Sequence, residues 1–120
     1  MPAYSDSLRG YAYSVHLRDD FKCQYCGLDG TQSFDAWLAP SLDHLLRKGH
    51  PKRNDPAFQV TACSFCNVAD NQYFANAQTR GITFDGKTRE ELVAQRLPYV
   101  HKTRADYQSY WQSKLRLASS

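Results

Sequence analysis

Two C-x2-C knuckles, Cys23-Gln24-Tyr25-Cys26 and Cys63-Ser64-Phe65-Cys66, constrain this chain more than any other feature. A turn of that spacing aims two thiolates at one tetrahedral ion with metal–sulfur bonds of about 2.3 Å. Two such turns complete the shell. With sulfur at all four positions there is no place for water or substrate, so the expected zinc on Cys23, Cys26, Cys63 and Cys66 is structural. The knuckles lie too far apart for a bare zinc ribbon, so something else must fold between them. Buried free thiols or a redox pair are the alternatives; a thioredoxin-like role calls for a single C-x2-C beside a βαβ pattern, which the sequence lacks. A chain of 120 residues is one domain with a thin core, the size at which a metal supplements packing.

The start of the chain has no continuous apolar stretch of leader type, and no apolar run approaches the roughly 20 residues that span a bilayer. A cytoplasmic protein with no membrane partner is therefore expected, and paired cysteines there read as metal ligands rather than disulfides. Leu8, Tyr11, Ala12 and Val15 recur at helical spacing and predict an N-terminal helix. Phe34 to Leu46 reads as a strand whose far end carries Asp43 and His44. Arg47 to Pro56, with Gly49, Pro51, Asn54 and Asp55, breaks helix and strand alike and reads as a loop. Phe58 and Val60 alternate as a strand does, and a helix is expected from about Cys63 to Asn76. Thr88 stands three before Glu91 as a capping box. A helix follows it, Pro98 breaks or restarts that helix, and a second, longer one carries Val100, Tyr107, Trp111 and Leu115.

Set in order, Cys23-Gln-Tyr-Cys26-Gly27, Leu42-Asp43-His44 and Val60-Thr-Ala-Cys63-Ser-Phe-Cys66-Asn67 resemble the zinc-containing, four-cysteine branch of the HNH endonuclease family. The resemblance covers about residues 18 to 70, including the Arg18-Asp19 pair before the first knuckle. It implies an α+β fold: a ββα-metal, treble-clef-like unit stapled by the four-cysteine zinc site. That unit is the core (18–78) of a single domain (1–120), flanked by an N-terminal helix and a C-terminal helical extension (88–117). It also implies a metal-dependent endonuclease that nicks or cleaves DNA, leaving 5′-phosphate and 3′-hydroxyl ends. Carried over residue by residue, Asp43 and Asn67 hold one catalytic divalent metal, Mg²⁺ or Mn²⁺, and His44 is the general base. Oxygen ligands suit a hard dication, and imidazole titrates near neutrality. Outside that family context, Asn67 reads as an ordinary residue of a first helical turn.

The sequence departs from the family pattern at two places. Phe58 stands where an asparagine usually orients the histidine, and Asn54 is the preferred substitute for that task. Asp70 stands where a lysine is common. Arg47, Lys48, His50, Lys52 and Arg53 crowd the loop and are the expected contacts to DNA phosphates, with His50 also a candidate third metal ligand. The net charge of +3 alone is weak support for such a partner. Arg96, Lys102, Arg104, Lys114 and Arg116 decorate the C-terminal part and read by default as a solvated face. His16 and His101 read as packing or surface residues. Two competing readings keep the scaffold without the chemistry: a zinc-dependent nucleic-acid-binding module, and a zinc-stabilised interaction domain using Tyr107, Tyr110 and Trp111 in a homodimer or with a partner.

Overall fold

The computed structural model describes residues 12–119. Its elements are α1 (Tyr13–Arg18), α2 (Phe34–Leu38), β1 (Pro40–His44), β2 (Gln59–Cys63), α3 (Ser64–Val68) and α4 (Arg89–Ser119). A 3-10 turn at Pro56–Phe58 leads into β2. The fold is α+β. None of these helices is long and apolar enough to cross a membrane.

The sheet is one antiparallel pair, with Pro40 opposite Cys63 and His44 opposite Gln59. Two strands alone are marginal in water, and β2, buried along its whole length, needs cover on its free edge. Arg18 and Asp19 supply it. The Arg18 guanidinium donates to the Gln59 carbonyl at 2.6 Å and the Pro56 carbonyl at 2.9 Å, and the Asp19 carboxylate accepts from the Thr61 amide at 2.8 Å. The Gln24 amide takes the Thr61 carbonyl at 2.9 Å. The first knuckle is thereby hydrogen-bonded to the strand that ends in the second.

Three sequence expectations change, and a fourth lies partly outside the described residues. Of the N-terminal helix, Leu8 and Tyr11 lie outside the described residues, while Ala12 and Val15 are buried at the start of α1. The strand expected over Phe34 to Leu46 is confined to Pro40–His44, because Ser33 caps a helical turn by accepting from the Ala36 amide and Phe34 to Leu38 coil instead. The helix expected through Asn76 stops at Val68: Ala69 is extended and Asp70 is left-handed at φ 52°. That turn sends the chain back so that Tyr73 and Ala77 pack inward. Finally, Pro98 does not end its helix. It costs one backbone hydrogen bond on an exposed face, while Leu92, Arg96 and Val100 anchor the opposite face on both sides of it. The Thr88–Glu91 capping box forms, with Glu91 accepting from the Thr88 amide at 3.0 Å and Thr88 from the Glu91 amide at 3.2 Å.

Cys23, Tyr25, Leu45, Leu46, Val60, Ala62, Cys66, Leu92 and Val100 form the core. It therefore sits where the knuckles, the sheet and the first half of α4 meet.

Candidate metal centre and the Asp43 cluster

The four cysteine sulfurs all lie within 4.8 Å of one another. Tetrahedral bonds of about 2.3 Å require sulfurs about 3.8 Å apart, and Cys26 and Cys63 are separated by 3.8 Å. The two knuckles are built alike. In each, the amide of the second cysteine points at the sulfur of the first, Cys26 to Cys23 and Cys66 to Cys63, both at 3.4 Å. Gly27 closes the first at φ 79°, a left-handed turn that other residues adopt at a cost. Cys63 closes the second as the N-cap of α3. Crowding splits the thiols: hydrogen bonds from Cys63 and Cys66 hold Cys23 far below the ordinary thiol value, and the contact with Cys23 pushes Cys66 far above it. Four thiols this close cannot all ionise without a cation among them, and a zinc-type dication fits. Arg104 donates to the Cys66 sulfur at 3.6 Å, adding positive charge beside the cluster.

A second buried polar cluster lies against the first. On a strand, neighbouring side chains face opposite ways, and Asp43 points toward α3 and α4. Its carboxylate is 2% exposed. The Tyr25 hydroxyl donates to Oδ2 at 2.5 Å, and Arg96 Nη1 donates to Oδ1 at 3.0 Å and Oδ2 at 3.3 Å. Arg96 Nη2 continues to the main-chain carbonyls of Asn67 at 3.1 Å and Ala69 at 3.5 Å. Burial pushes the Asp43 carboxyl up to about 6, with Arg96 and then Tyr25 opposing it. Burial and the nearby Asp43 charge raise the Tyr25 phenol. Arg96, expected on a solvated face, is thus a core residue, enclosed by the rings of Tyr25, Tyr73 and Phe74 at 5.2–5.8 Å.

Asn67 comes to the same place from α3. Its side-chain amide donates to the Ser41 hydroxyl at 2.9 Å and the Leu42 carbonyl at 3.2 Å, tying α3 to the strand just before Asp43 and His44. His44 faces the other way, half-buried, and burial followed by the Arg53 charge lowers its pKa. Both causes favour the neutral ring.

The catalytic divalent ion that the sequence implies does not fit these donors as they stand. Both Asp43 oxygens carry hydrogen bonds, one partner being a cation, and the Asn67 amide nitrogen is spent on β1. What is left is the Asn67 side-chain carbonyl, a single neutral oxygen where a hard dication wants several. Among the described residues, the four cysteines are the one group of three or more His, Cys, Asp or Glu side chains gathered closely enough for a metal.

Arg47, His50 and Lys52 of the loop come together around one cavity, away from Asp43. His50 pairs with Asp85 at 3.2 Å and does not join Asp43. With Arg47, Pro51, Lys52, Thr83 and Phe84 it lines an open cavity of about 700 Å³. Asn54 is exposed. Near Phe58 the loop is held by the backbone and by Asp55: Leu45 donates to the Phe58 carbonyl at 3.0 Å, and Asp55 accepts from the Ala57 amide at 2.9 Å. Asp70 is turned onto Arg80 at 2.6 Å. His16 is buried and hydrogen-bonds to Thr61 at 2.7 Å, and His101 bonds to the Tyr25 carbonyl at 2.7 Å. Sequence reading missed Tyr25 and Arg96. Tyr25 sits inside a knuckle, where only the cysteines draw notice, and Arg96 had one faint signal, its i+4 spacing between Leu92 and Val100. No family model matches the chain, and no curated protein or solved structure matches it.

Proposed function

We propose that this chain is an HNH-type endonuclease acting on DNA, with His44 as general base. The observation that carries the reading is the Asn67 tie to Ser41 and Leu42. It joins the residue after the second knuckle to the residues before Asp43-His44, which supports a ββα arrangement with His44 on the opposite face of the strand. His44 takes a proton from water, the water oxygen bonds to phosphorus, and the bond to the 3′ oxygen breaks; that oxygen keeps the electron pair and takes a proton from solvent, giving 5′-phosphate and 3′-hydroxyl ends. Arg53, whose charge His44 feels, supplies a cation for the charge growing on the phosphate. Arg47, Lys48 and Lys52 give affinity that is salt-sensitive and independent of base sequence. The test is relaxation of supercoiled plasmid by the zinc-loaded protein, with and without Mg²⁺ or Mn²⁺. Nicked circles should form and should vanish in His44→Ala; cutting that survives that substitution overturns the assignment.

One observation favours the second reading, a nucleic-acid-binding module on the same scaffold: the Asp43 carboxylate is closed by Arg96. Its signature is DNA retardation that weakens with salt, with no cutting under any metal condition.

A further inference from the structure

The Arg96 guanidinium has collected four oxygens: both of Asp43 and the main-chain carbonyls of Asn67 and Ala69, at 3.0–3.5 Å. This is a cation site built on the Asp43 carboxylate, an expected metal ligand, and on two main-chain carbonyls beside it, and it is occupied by the chain's own cation. We propose that Arg96 is a resident counter-ion that excludes a divalent cation from Asp43, so a dication binds there only when the Arg96 side chain leaves.

The surroundings suit a guanidinium. Arg96 is 4% exposed, and the rings of Tyr25, Tyr73 and Phe74 around it favour a flat, weakly hydrated cation. Mg²⁺ and Mn²⁺ demand several close oxygens, and the oxygens gathered here are engaged by Arg96. Two cations on one carboxylate repel strongly at this depth, so Arg96 and a dication compete for Asp43. The Nε of Arg96 is buried without a partner, which marks the residue as held for its outer two nitrogens.

The inference takes from the functional reading only the location of the metal place, and it is testable without DNA. Zinc-loaded wild type and Arg96→Met are titrated with Mn²⁺ and followed by electron paramagnetic resonance of the free ion. Arg96→Met should bind one Mn²⁺ at least tenfold more tightly than wild type, and Mn²⁺ should raise its melting temperature while leaving that of wild type unchanged. Adding Asp43→Asn to Arg96→Met should abolish the gain. Equal Mn²⁺ affinity in wild type and Arg96→Met overturns the proposal, as does a gain that survives Asp43→Asn. Should Arg96→Met not fold, Arg96→Gln decides: glutamine carries no charge to Asp43, so the same Mn²⁺ gain is expected, and an affinity unchanged from wild type overturns the proposal. Loss of plasmid cutting with a retained Mn²⁺ gain refutes the functional reading alone; cutting with no gain refutes this inference alone.

Discussion

The two buried polar clusters of this domain solve one problem in opposite ways. Each concentrates negative charge where water is scarce. Among the described residues the cysteine cluster has one cation in hydrogen-bond contact, Arg104 on Cys66, too little charge for four thiolates, and a dication would complete a closed shell. The Asp43 cluster needs nothing from outside, because Arg96 brings the charge and Tyr25 the remaining hydrogen bond. One cluster therefore couples folding to metal supply, and the other couples α4 to the sheet. An ion recruited from solution contributes its full binding free energy to folding. An ion pair made within the chain must first repay the desolvation of both partners.

The largest effect that separates them is metal removal. Stripping zinc with a strong chelator, or Cys66→Ser, should unfold the domain as judged by circular dichroism, since structural zinc contributes on the order of 10–16 kcal/mol in small domains. A folded, zinc-free protein with native melting behaviour breaks the comparison at once. Arg96→Met should leave the domain folded but weaker by about 3–5 kcal/mol in urea denaturation, the cost of a buried carboxylate without its partner. Zinc content should be unaffected. Removing both charges, in Asp43→Leu with Arg96→Met, should recover most of that loss; about 1 kcal/mol is expected to remain for the Tyr25 hydroxyl left unpaired. If the double variant is as weak as the single one, Arg96 serves packing rather than charge.

The smallest effect is at His44, on the face away from both clusters. Its pKa lies below the ordinary 6.5 because burial and Arg53 disfavour the charged ring. The folded state therefore binds its proton less readily than the unfolded one. Stability from this group is complete above pH 6.5 and declines as pH falls through the window below it. Nicking activity should follow the neutral ring, with its acid limb below pH 6.5. Arg53→Gln should move the His44 midpoint upward in an NMR titration, and Arg96→Met should not. A shift caused by Arg96 would show that the two faces of β1 are not electrically separate.

The knuckles, the capping box at Thr88 and the loop over Arg47 to Pro56 were legible because each is a local signal, three to ten residues long, with one physical cause. Boundaries were less so. Phe34 to Leu38 has an apolar pattern that suits strand or helix, and the Ser33 cap decided it. The helix after Cys63 matched its period through Phe74, yet the chain turns at Asp70 because Tyr73 packs against Arg96 and the ring of Phe84. Pro98 carries the usual mark of a helix end, and only the shared anchoring of Leu92 and Val100 overrides it.

At the candidate site the division is the same. The sequence by itself determined that four cysteines two-by-two would meet, since each knuckle aims its own pair, and it placed Asp43, His44 and Asn67 beside them in the order of a known pattern. It could not determine what Asp43 touches. Arg96 lies 53 residues away on α4, which packs beside the four-cysteine cluster after the turn at Asp70 and runs unbroken through Pro98. A charge on a helix reads as solvent-facing until something packs on it, and only tertiary structure decided that this one faces inward.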